Sequence, residues 1–153
     1  MKNKLGLVIC FFLAGVGFLH SQTAQRIEDL LGSEALRNDQ AAWLVLEAAE
    51  VPHPVGSPYL AAFRYAAAQG WFPKGAQPNG QIRLNQASLL IMRAFRIKGG
   101  IFYTLTKSPH YAYRELEYQG ILQGRVDPRM TVSGDLLLYM VNLVLSYRED
   151  NWL

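Results

Sequence analysis

The chain has 153 residues, with 15 Lys and Arg against 12 Asp and Glu, for a formal net charge of +3. One domain with its own core fits that length. A single cysteine, Cys10, excludes a framework of internal disulfides.

Met1 to Lys4 carry two lysines, Leu5 to Leu19 are apolar and uncharged, and His20, Ser21 and Gln22 turn polar again. A basic start, an apolar centre and a small residue near the end predict a secretory signal over residues 1–21. Its apolar run is shorter than the roughly 20 residues of a membrane span. An uncleaved anchor is the alternative. Cys10 lies inside the run rather than at its end, as an apolar filler and not a lipidation site. Cleavage near Ser21–Gln22 removes Lys2 and Lys4, leaving 13 basic and 12 acidic residues, or +1. A near-neutral domain over 22–153 gives no electrostatic reason to expect a nucleic-acid partner.

Arg26 to Leu31, stopped by Gly32, predicts a shortened first helix. Asp39 is a candidate N-cap for an apolar helix beginning Gln40-Ala41-Ala42-Trp43. Val51 to Gly56 is a proline-rich connector. Ser57-Pro58 starts the next helix, with serine as cap and proline at its first position, and Gln69-Gly70 ends it. Trp71 to Gly80 is a loop rich in turn formers. Asn85 then caps a second apolar helix, Gln86-Ala87-Ser88-Leu89, which Gly99-Gly100 ends. Ile101 to Thr106, IFYTLT, is apolar and β-branched and predicts a short extended segment. Ser108-Pro109 and Gln119-Gly120 bracket another helix, a second glycine-containing loop follows, and Ser133 caps a third apolar helix. Arg148 to Leu153 reads as a fraying tail.

The order recurs. Asp39, Asn85 and Ser133 are spaced by 46 and 48 residues, and the two closing glycines by 50. A period of this size predicts helical hairpins that bury their apolar faces on one another. The fold class expected is all-α: about three hairpin repeats near 26–50, 57–98 and 108–147, the first degraded, in one bundle with little or no sheet.

"AAFRYAAAQGWFPKGAQPNGQIRLNQASLLIMRAF" and "YAYRELEYQGILQGRVDPRMTVSGDLLLYMVNLVL" resemble the bacterial S-layer homology repeat, and "LRNDQAAWLVLEAAE" resembles the back half of a third. The resemblance implies a non-catalytic helical module of the cell envelope or periplasm that docks onto wall polysaccharide or peptidoglycan. It also implies a binding arginine at each apolar helix start. Asn38, Leu84 and Val132 stand at those places on the sequence alignment. Their loss favours the alternative, an envelope adaptor that keeps the fold and binds a protein.

The candidate binding residues are few. Arg83 precedes the family's arginine place. Arg64 and Arg114 match on the two Ser-Pro helices, and serve either as ligand contacts or as partners for a carboxylate or helix end. Trp71 is either a stacking platform for a sugar or a plug. Arg125 lies in the second glycine loop. Tyr111, Tyr113 and Tyr118 offer an aromatic face or a core seam. His53 and His110 lack any Cys, His or acid at ligand spacing, so no metal, cofactor or catalytic residue is expected.

Overall fold

A computed structural model of the protein describes residues 24–53, 57–124 and 126–150, the last three by backbone alone. The expected signal segment, Arg125 and the last three residues of the tail lie outside the described residues. Residues 24–31 form α1. The remaining helices are α2 (Asn38–Ala48), α3 (Pro58–Ala68), α4 (Leu84–Ala94), α5 (Ile101–Thr106), α6 (Pro109–Tyr118) and α7 (Gly134–Asp150). The all-α expectation holds. Extended structure among the described residues is limited to two antiparallel bridges, Arg37 with Gln81 and Arg83 with Thr131.

α2 and α4 are apolar on most of their surface and form the centre. Trp43, Leu44, Val45 and Leu46 of α2 and Leu89, Leu90, Ile91 and Met92 of α4 are all buried. α3 and α6 are outer helices that bury one stripe each: Ala62, Phe63 and Ala66 on α3, Ala112, Tyr113 and Leu116 on α6. The main helix pairs are α2 with α3 and α4 with α6, and α2 also meets α4 and α7. Each central helix therefore packs chiefly on the outer helix that follows it. The two arms on either side of Gly70 are not the main pair.

Four helix ends close in the same way. A left-handed residue is followed by an apolar residue whose N–H donates back five positions. The bonds run from Val51 to Leu46, from Trp71 to Ala66, from Ile97 to Met92 and from Ile121 to Leu116, each at 2.9 Å. Gly70 and Gly120 supply the left-handed residue on the outer helices, with φ of +72° and +77°. Glu50 and Arg96 supply it on the central ones, at 53° and 55°. α4 thus ends at Ala94 rather than at Gly99-Gly100.

Two further expectations are corrected. IFYTLT is a helix: Tyr103 on one side is buried at 2 % exposure, and Lys107 closes the turn in a left-handed conformation. Burial of that one ring outweighs the strand preference of its β-branched neighbours. The caps of α2 and α4 lie two residues before Asp39 and Asn85, at Arg37 and Arg83. Gln40 and Gln86 make this possible, because the Oε1 of each accepts the cap residue's own N–H at 3.0 Å. Ser133 is the cap of α7, its Oγ accepting from the Leu136 N–H at 3.2 Å.

Candidate functional site at the helix starts

The starts of α2, α4 and α7 meet at one end of the bundle. Leu36, Ile82 and Val132, one before each cap, are fully buried. Their backbones close a ring. The Leu36 N–H donates to Val132 O (2.8 Å), the Ile82 N–H to Leu36 O (2.9 Å) and the Val132 N–H to Ile82 O (3.2 Å). Three segments from the beginning, middle and end of the chain thus satisfy one another in the interior.

The ring fixes which residues correspond. Leu36, Ile82 and Val132 are equivalent, so the spacing is 46 and then 50 residues, not 46 and 48. The residue of α7 that answers Asn38 and Leu84 is Gly134, not Val132. A side chain at Gly134 is impossible without movement, because its Cβ would run into the Leu30 carbonyl oxygen. None of the three places can present a guanidinium.

Most of the free N–H groups of the first helical turns are also spoken for. Asn38 and Asp39 donate to Gly80 O (2.7 Å) and Pro78 O (3.0 Å), and Leu84 and Asn85 to Met130 O and Pro128 O (2.9 Å each). The Gly134 N–H donates to Ser33 O at 2.9 Å. Helix starts attract anions through such N–H groups. Here the loop that leads into α4 caps the start of α2 with carbonyl oxygens, the loop that leads into α7 caps α4, and the loop that leads into α2 caps α7.

What remains unmet is of the opposite kind. Asn38, at 4 % exposure, donates its Nδ2 to Gln77 O at 2.8 Å, but its Oδ1 has no partner among the described residues. Asn85 Oδ1, at the second position of α4, is likewise buried and unpartnered. Two carboxamide oxygens under the loops 77–80 and 127–130 therefore lack donors. Leaving such an acceptor unmet costs about 1–3 kcal/mol. Nearby, Asp39 is held by Arg37, whose Nε and second guanidinium nitrogen donate to its two oxygens at 3.0 and 3.1 Å. That bond raises the Arg37 pKa and commits both charges to each other.

The described candidates from the sequence lie on several different elements. Arg83 is exposed at this end as the α4 cap. Arg64 and Arg114 are exposed on α3 and α6, which are not main packing partners. Trp71 is 9 % exposed and meets Tyr65 edge-on at 5.9 Å, so it is largely a plug. Tyr113 is a core residue whose hydroxyl donates to Val126 O at 2.6 Å, and its pKa is raised mainly by burial. Tyr111 stacks on Phe102 at 5.4 Å, while Tyr118 is 90 % exposed. Sequence reading missed Asn38 and Asn85 as unmet acceptors. Nothing in a sequence tells a satisfied asparagine from an unsatisfied one. No group of three or more potential metal ligands occurs among the described residues.

Comparison with known protein families, with curated proteins and with solved structures found no match.

Proposed function

We propose that the protein is an exported, non-catalytic module of the cell envelope whose helix-start end docks onto a hydroxyl-rich wall glycan. The observation that carries this reading is the pair of donorless oxygens, Asn38 Oδ1 and Asn85 Oδ1, at the end of the bundle where the resemblance to S-layer homology repeats puts its ligand. The chemistry of the place suits hydroxyl groups rather than anions. Most of its backbone N–H groups are consumed, the arginines that the resemblance implies are missing, and the two asparagine oxygens lack donors. A hydroxyl reaching either oxygen has to part the loop above it, with the exposed Arg83 as the first polar contact.

Co-sedimentation of the protein with purified wall sacculi tests this reading. Binding that drops in Asn85→Ala and Arg83→Ala, with the melting temperature kept, supports it. If no binding occurs and crosslinking instead recovers a stable protein partner, the adaptor reading replaces it.

A further inference from the structure

At the opposite end of α4 from the helix starts lies an open cavity of about 610 Å³. It runs between the end of α4, the start of α5 and the residues that follow α3. Arg93, Arg96, Lys98 and Lys107 line it, with Trp71 and Tyr103 in its wall. Among the described residues no Asp or Glu lines it. None of the four cations is in an ion pair among the described residues. Lys107 Nζ sits 4.7 Å above the Tyr103 ring, which leaves its N–H donors free. The acid nearest in sequence, Glu115, is not among the lining residues, and it accepts the Gly100 N–H at 2.8 Å beside the cavity-lining Gly99.

The charge of this place is not dictated by the backbone. The end of α2 has the same closure, 46 residues earlier, with matching φ and matching return bonds. There the residues answering Arg93 and Arg96 are Glu47 and Glu50. Glu47 approaches His53 Nε2 at 3.6 Å. Two equal backbones thus carry opposite charges, and only the positive one borders the cavity. A favourable interaction with the helix terminus accounts for part of the preference for cations at α4. It does not account for Lys98 and Lys107, which come from outside α4 and line the same space.

We propose that this cavity binds a phosphoryl group, free in a phosphate ester or diphosphate or presented by a lipid headgroup. Four cations that line one open space, none of them in an ion pair among the described residues, match a group with two negative charges and several acceptor oxygens. The site is separate from the glycan-docking end and does not rest on that reading.

Calorimetric titration of the full chain with inorganic pyrophosphate, together with flotation on vesicles of phosphatidylglycerol or phosphatidylcholine, tests it. Binding is expected to weaken by roughly tenfold or more in the double variant Arg93→Glu, Arg96→Glu, and also as salt is raised. The backbone already carries glutamates at the equivalent places of α2, so the variant is expected to fold, and a thermal melt checks this. Lys74→Glu, in the loop outside the cavity, is expected to bind as the parent does. Pyrophosphate binding lost in the double variant supports the proposal with a soluble ligand. Binding to phosphatidylglycerol vesicles alone, lost in the same variant, supports it with a lipid headgroup. No binding to either, equal binding to both kinds of vesicle without pyrophosphate binding, or binding unchanged in the double variant overturns it.

Discussion

The ends of α2 and α4 form the most informative pair in the molecule. Both close on a left-handed residue that is not glycine, both return a 2.9 Å bond from the next apolar residue, and their charges are reversed. Closure is therefore set by backbone hydrogen bonding and by burial of Val51 or Ile97. The side chains at 47, 50, 93 and 96 are left to answer to something else.

That comparison extends to α7, whose start joins those of α2 and α4 in the backbone ring and where the largest effect is expected. Gly134 has no room for a side chain, while Asn38 and Leu84 carry one at the equivalent place. Gly134→Ala is expected to destabilise the fold by about 3 kcal/mol, since the new carbon meets backbone rather than a side chain that can swing aside. A denaturant midpoint that stays put would mean that α1 and α7 do not press together there.

A smaller effect is expected at the left-handed pair. Glu50→Gly and Arg96→Gly each relieve a conformation that disfavours side chains. Both are expected to gain up to about 1 kcal/mol, and by similar amounts. Unequal gains in thermal unfolding would break the equivalence of the two ends.

Charge alone comes next. Glu50→Lys is expected to stabilise by about 0.3–1 kcal/mol through the partial negative charge of the helix end, and Arg96→Glu to destabilise by a similar amount. Both differences are expected to shrink in high salt.

The weakest expectation concerns pH. Burial raises the Tyr103 phenol above its ordinary value of 10.0, beside the α4 end. The unfolded chain then loses this proton first as pH rises. The stability that Tyr103 contributes is complete below pH 10 and fades through its folded pKa. Tyr103→Phe is expected to flatten that decline in unfolding curves taken from pH 9 upward, allowing for Tyr59 and Tyr113, which burial shifts the same way.

Much of the fold was legible because its punctuation is local. Ser57-Pro58 and Ser108-Pro109 start α3 and α6, with proline at the first helical position of each and Ser108 Oγ accepting the Tyr111 N–H at 3.4 Å, and the left-handed Gly70 and Gly120 close them. What failed was punctuation written in unusual letters. An arginine cap works only because a glutamine three residues on accepts its N–H. A glutamate or arginine in a left-handed turn carries no compositional mark. Those substitutions displaced the expected starts of α2 and α4 by two residues, which put the third unit out of register.

The candidate sites were less legible still. Arg64 and Arg114 stood out because they match, yet matching residues on two exposed helix faces need share no ligand. Arg93, Arg96, Lys98 and Lys107 repeat nothing and come from two stretches of chain, 93–98 and the residue after α5. The one sequence signal available was the reversal of Arg93 and Arg96 relative to Glu47 and Glu50, and it is visible only once the helix ends are correctly paired.

The mutual bonding of Leu36, Ile82 and Val132 has a consequence for how such a protein can be cut or extended. In an open-ended array a terminal unit can be lost and the remainder still stands. Here every member is both giver and receiver, so removing any one strands a donor and an acceptor on the other two. The number three is built into the geometry, and unfolding is expected to proceed as a single event rather than unit by unit.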